Sequence, residues 1–136
     1  MARTMRTAVL WLFILATVLG VGAESEHIPT TITQQELLQR LEAQTELLML
    51  DVRTPQEFAA GHIPGAVNVP HTTLSKRLGA LQSYQDKEVV VYCEAGVRSK
   101  KAETILRQAG FAKVRHLEGD MAAWRRSSLP LGTQGR

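Results

Sequence analysis

The fold this sequence predicts is an α/β sandwich with a largely parallel sheet, and three observations carry it. Short, almost continuously apolar runs such as Leu47–Val52 (LLMLDV) and Glu88–Tyr92 read as strands buried on both faces. Segments with helical spacing of apolar residues alternate with these runs. Between them stand helix starts and stops, with capping-box patterns at Thr33–Glu36 and Thr54–Glu57 and glycines at 61 and 110.

In chain order, the first capping box opens a helix whose Leu37, Leu38 and Leu41 share one face. Leu47–Val52 follows as a buried strand. Thr54 and Glu57 bracket a second helix start, with Pro55 at its first position and Gly61 as its stop. Ala66–Val69 is a short strand closed by Pro70, and a helix is expected from Thr73 to Leu81. Glu88–Tyr92 is the strongest strand. Ser99–Gln108 reads as a helix with Ala102, Ile105 and Leu106 inward and Gly110 beyond its end. Val114–Leu117 is a further strand, Met121–Arg126 a terminal helical turn, and the chain from Ser127 is expected to be loose. Ligand crevices in such sheets lie at the carboxyl ends of the strands. That edge receives Asp51 with Arg53, then Cys93, then Glu118-Gly119-Asp120.

The N-terminus sets the compartment. Arg3, Arg6 and the free amine precede an uncharged apolar run from Ala8 to about Ala23, and Val21-Gly22-Ala23 supplies small residues for cleavage before Glu24. Residues 1–23 are therefore expected to be a signal peptide, and the mature protein periplasmic or secreted. The run falls short of the roughly 20 apolar residues of a membrane span, which leaves an uncleaved anchor as the alternative. Taking Arg3 and Arg6 from the 16 basic residues leaves 14 against 13 acidic ones. The apparent basicity thus belongs largely to the targeting segment and gives no case for nucleic-acid binding. The remaining stretch of about 113 residues suits one small domain. It shows no internal repeat, and no metal-ligand spacing among its single cysteine and scattered His27, His71 and His116.

That cysteine, Cys93, lies in VVVYCEAGVRSK, on the turn between a strand and a helix. A single thiol cannot form an internal disulfide, and an idle exposed thiol is a liability in an oxidising compartment, so its presence points to use. Thiolates are stabilised by positive charge, inward backbone amides and helix N-termini. The amides from Glu94 to Ser99, including those of Ala95 and Val97, can curl into an anion nest. Gly96 supplies the backbone freedom, Arg98 a planar cation for an oxyanion, and Ser99 a helix cap. The bland alternative is a small apolar residue that ends a strand. Four residues separate Cys93 from Arg98. That is one fewer than in the phosphate ring of cysteine phosphatases, and it favours a single sulfur atom over a phosphate.

Taken together, Leu50-Asp51-Val52-Arg53, Glu57-Phe58, Gly61-His62-Ile63-Pro64-Gly65-Ala66-Val67-Asn68-Val69-Pro70, the Cys93–Ser99 loop and Leu117-Glu118-Gly119-Asp120 through Ala123-Trp124 resemble a single-domain rhodanese (thiosulfate sulfurtransferase), in particular the small exported, phage-shock type. The resemblance spans residues 31–130, leaving 131–136 as an expected flexible tail. It implies a three-layer sandwich with a five-stranded, mostly parallel sheet flanked by helices. It also implies ping-pong transfer of sulfane sulfur, from a donor such as thiosulfate to cyanide or a thiol, through a persulfide on Cys93. By the same resemblance, the amides of Glu94 to Ser99 hold the outer sulfur and Arg98 orients the donor's sulfonate. Asp51, Arg53 and His62 give structural support. No cofactor, metal, nucleic acid or membrane partner is implied, and the mature chain is expected to be a monomer. One departure is Asp120, where the family usually carries a second glycine; aspartate tolerates a positive φ better than most residues. Its carboxylate and that of Glu94 would disfavour anionic donors. The alternatives are a persulfide-carrying or protein-binding module without turnover, a phosphatase or arsenate reductase, and a redox sensor that forms an intermolecular disulfide.

Overall fold

A computed structural model describes residues 27–133. The expected signal peptide and residues 134–136 of the expected tail lie outside that range. The elements are β1 (Thr31–Ile32), α1 (Gln34–Glu42), β2 (Leu47–Asp51), α2 (Pro55–Ala60), β3 (Val67–Asn68), α3 (Leu74–Arg77), a 3₁₀ segment (Leu78–Tyr84), β4 (Glu88–Tyr92), α4 (Val97–Gln108), β5 (Lys113–Leu117) and α5 (Asp120–Arg126). The five strands form one sheet in the order β1-β5-β4-β2-β3, with every pairing parallel. Among the described residues no helix is long and apolar enough to cross a membrane.

Side-chain alternation along the strands builds two cores. Leu48, Leu50 and Val52 of β2 and its exit, with Val89 and Val91 of β4, pack against Leu74 of α3, Leu81, and Ala102 and Leu106 of α4. On the other face, Met49, Val90, Tyr92 and Leu117 meet Leu37 of α1 and Met121 and Trp124 of α5. Strand β4 sits between β2 and β5. The chain leaves β2 toward the β3 edge and leaves β4 toward the β5 edge, so the two exits diverge and open a crevice at the carboxyl end of the sheet.

Several expectations need correcting. The two-residue β1 pairs with β5 through Thr31–His116 and Ile32–Leu117, and nothing so short has a periodicity to read. The expected 73–81 helix is one α-helical turn that tightens into the 3₁₀ segment. The Thr54–Glu57 capping box is complete, with both reciprocal bonds present. The Thr33–Glu36 box is half formed: Thr33 accepts from the Glu36 amide, while the Glu36 carboxylate turns to Arg115, 2.7 Å from Nη1 and 3.0 Å from Nη2. The chain after Ser127 is not loose. Trp124 Nε1 donates to the Pro130 carbonyl at 2.8 Å, and Gly132 exchanges backbone hydrogen bonds of 2.8 and 2.9 Å with His62. The start of the expected tail is therefore pinned to the body of the domain.

Candidate active site

Cys93 follows the last residue of β4 and shares its face with Val91, turned toward α4 and almost fully buried. Its Sγ accepts a hydrogen bond from the Gly96 amide at 3.0 Å and lies 3.5 Å from the Ser99 hydroxyl. The loop folds back this tightly because Gly96 has φ 107°, where L side chains are strained. A Cβ there would lie 3.2 Å from Asp120 Oδ2 and 3.5 Å from His116 Cε1.

That turn starts α4 at Val97, two residues earlier than Ser99. Gly96, rather than Ser99, is the N-cap. Ser99 sits inside the first turn, and its Oγ lies 3.0 Å from the Gly96 carbonyl, 3.2 Å from Asp120 Oδ1 and 3.1 Å from His116 Nε2. Ala95, Gly96 and Val97 line the mouth of a cavity of about 350 Å³ together with Lys100 and His116. Glu94 points away from the thiol, to Arg53 Nη1 at 3.4 Å and to Arg125.

Arg98 does not stand free. Its Nη1 and Nη2 form a fork on Glu57, at 2.6 Å to Oε2 and 2.8 Å to Oε1. The Arg98 hydrogen bonds hold the Glu57 carboxyl down to about 2 despite the opposing effect of its partial burial. The same pair raises Arg98 above its usual range. The sequence showed Glu57 as a helix cap and as part of the Glu57-Phe58 motif. It is also the counter-ion of the loop arginine, a link that spans 41 positions and leaves no local signal.

Beneath the loop, the fully buried Arg53 guanidinium binds Asp51 through Nε at 3.0 Å and Nη2 at 2.7 Å, and reaches the Gly61 carbonyl at 2.8 Å. Burial alone would lower Arg53, but Asp51 more than offsets it and the net shift is upward. Asn68 Nδ2 donates to the Asp51 and Arg53 carbonyls at 3.0 and 2.9 Å, fixing the exit of β2. His62 stands on this side as well. Its Nδ1 lies 2.8 Å from the Phe58 carbonyl, and its ring stacks on Phe58 at 3.7 Å between centroids.

From the other side, the β5–α5 turn grips the cysteine. Asp120 is buried, with φ 52°, the positive value that aspartate tolerates. Its Oδ1 accepts from the Cys93 amide at 2.9 Å. The Met121 and Ala122 amides donate to the Cys93 and Glu94 carbonyls at 3.0 and 3.1 Å. Asp120 Oδ2 lies 2.9 Å from His116 Nε2, so the added carboxylate has beside it an imidazole that becomes its cation on protonation. Burial pushes Asp120 up, but His116 and the Cys93 amide outweigh it and hold it below its ordinary range. Conversely the Asp120 hydrogen bond raises His116. His116 was one of the scattered histidines of the sequence. The signal that places it is strand parity: it lies two residues after Val114, which faces the α4 layer, on the strand paired with β4.

Residues 33–127 match the Rhodanese-like domain family model. A protein named "Sulfurtransferase" from Allochromatium vinosum is 38% identical over 100 residues, covering 74% of this chain and 92% of the relative. The MoeZ "Probable adenylyltransferase/sulfurtransferase" of Mycobacterium tuberculosis is 37% identical over 101 residues, but this chain spans only 26% of its length. Among solved structures, a human single-domain sulfurtransferase has 30% identity and a TM-score of 0.65, covering 72% of this chain and 96% of that one. A rhodanese-related protein of Thermoplasma volcanium has 28% identity and a TM-score of 0.68, over 78% of this chain and 100% of that one. On this match the chain belongs to the rhodanese-like family, and its sulfurtransferase-named relatives support sulfur transfer in general.

Proposed function

We propose that the chain is a sulfurtransferase that carries sulfane sulfur as a persulfide on Cys93, taking it from a donor such as thiosulfate and passing it to cyanide or a thiol. The observation that carries this reading is the Gly96 amide directed at Sγ from 3.0 Å, in a loop with four residues between Cys93 and Arg98. A thiolate held this way is stabilised by an amide and by the start of α4. In the first half-reaction the Cys93 thiolate attacks the outer sulfur of thiosulfate. The new S–S bond forms as the donor's S–S bond breaks, and sulfite leaves with the electron pair. In the second, the acceptor takes the outer sulfur and the thiolate is restored. The loop amides from Glu94 to Ser99 cradle the outer sulfur, and Arg98 meets the donor's sulfonate by sharing or leaving Glu57. Asp51, Arg53 and His62 brace the loop from below. The signal-like residues 1–23 support export, with the mature chain acting as a monomer in the periplasm or outside the cell.

Thiocyanate production from thiosulfate and cyanide tests the proposal. The wild-type protein turns over and Cys93→Ser does not; equal rates in the two would contradict it. A second reading, a persulfide carrier whose partner completes the chemistry, is favoured by the MoeZ relative, where a domain like this is one part of a longer protein. It predicts a loaded Cys93 without turnover on small acceptors.

A further inference from the structure

Four side chains, Ser99, His116, Asp120 and Glu103, connect Cys93 to solvent on the α4 side. Ser99 Oγ lies 3.5 Å from Cys93 Sγ and 3.1 Å from His116 Nε2. His116 Nε2 lies 2.9 Å from Asp120 Oδ2, and Nδ1 lies 3.3 Å from Glu103 Oε1. Glu103 is buried; its Oε2 accepts from Arg107 Nη1 at 2.9 Å, while its Oε1 accepts no hydrogen bond and faces the imidazole. The outer edge of His116 lines the open cavity beside Lys100. From this arrangement we infer that His116, held between Asp120 and Glu103, is the proton carrier for Cys93, coupled to it through the Ser99 hydroxyl. The inference rests on Cys93 being the nucleophile of the proposed reaction.

One proton moves in each event. The neutral ring starts with its hydrogen on Nδ1, toward Glu103. The thiol passes its hydrogen to Ser99 Oγ as the hydroxyl hydrogen passes to the bare His116 Nε2, giving thiolate and an imidazolium whose new N–H turns to Asp120 Oδ2. No electrons change hands, and the reverse step returns the proton when the thiolate is released by an acceptor. A hydroxyl can rotate between acceptors, so Ser99 can serve both neighbours. Asp120 Oδ2 and Glu103 favour the imidazolium and Lys100 opposes it; these three and Cys93 are the titratable groups that face the ring from α5, α4 and β4. The imidazolium then discharges to solvent through the cavity. Asp120, the residue that departs from the family's glycine, is in this account a positioning residue that gives Cys93 a paired acid and base. The raised His116 value carries the imidazolium to higher pH than an ordinary histidine would, and its support of the thiolate fades as pH rises through that raised value.

The test is the rate of iodoacetamide alkylation against pH on the full chain, which needs no sulfur chemistry and reads one cysteine only. His116→Gln and Asp120→Gly, the latter a residue that accepts φ 52°, are expected to slow alkylation at pH 6 about tenfold, as a one-unit displacement of the profile would. They should converge with wild type at high pH. The double variant should be no slower than either single one. In parallel, the His116 ring titration followed by NMR should move to lower pH in Cys93→Ser, because each charged partner supports the other. Profiles unchanged in both variants, uniform slowing at every pH, or a His116 titration indifferent to Cys93→Ser would overturn the inference. Displaced profiles without thiosulfate turnover would leave the proton carrier standing and remove the sulfurtransferase reading instead.

Discussion

The guanidinium of Arg53 has no access to solvent, and Asp51, equally buried, is its counter-ion. A charge left alone in such a place is costly, because the low-dielectric interior replaces none of its lost hydration. Asp51→Asn keeps the shape and removes the charge. The expected loss is about 3–5 kcal/mol in urea unfolding, the usual result of breaking a buried pair. A loss near zero would show that Arg53 finds another partner, for instance Glu94. Glu57 makes a different case, because its side chain is partly exposed and its pairing with Arg98 is felt through pH. Its folded value of about 2 lies below the ordinary 4.5. The pair's contribution is therefore full above the ordinary value and is lost as pH falls toward about 2. Urea unfolding of wild type and Glu57→Gln should show a gap that is constant near neutrality and closes in acid. A gap independent of pH would show that the Glu57 charge does not stabilise the fold.

At the scale of elements, β2, β3, β4 and β5 were legible because their signals are local and repetitive. The apolar runs of β2 and β4 could be read directly, and Thr54 through Glu57 opened a helix where its capping box stands. What escaped the sequence was decided by partners distant along the chain. Strand β1 exists because β5 offers it an edge, and Gly132 is held because His62 lies opposite. The start of α4 was misplaced because the left-handed turn at Gly96 begins the helix before the serine that looked like its cap. Of the site, Cys93 and its loop could be found from the residue types, whereas the links through Glu57, His116 and Glu103 needed the folded sheet. Gly96→Ala tests how far the loop depends on that turn. Strain at φ 107° and contact with Asp120 Oδ2 should cost about 1–2 kcal/mol and sharply reduce sulfur loading on Cys93. Unchanged loading would mean that the amide at 3.0 Å is not what holds the sulfur.

Over the whole molecule, one geometric fact organises the chemistry: every strand is parallel, so every strand delivers its following residues to the same edge. β2 brings Asp51 and Arg53, β4 brings Cys93, and β5 brings Asp120, with His116 just before its end. The edge carries charges of both signs, but they are paired, Glu94 with Arg53 and Arg125, Glu57 with Arg98, Asp120 with His116. The carboxylates beside Cys93 therefore weigh less against an anionic donor than their count alone implies. The central claim is that Cys93 carries sulfur. Intact-protein mass spectrometry after incubation with thiosulfate tests it most directly. The account predicts a gain of one sulfur atom, removed by cyanide and absent from Cys93→Ser. No gain with thiosulfate or any other sulfane donor, in a folded protein whose single thiol remains free, would contradict it.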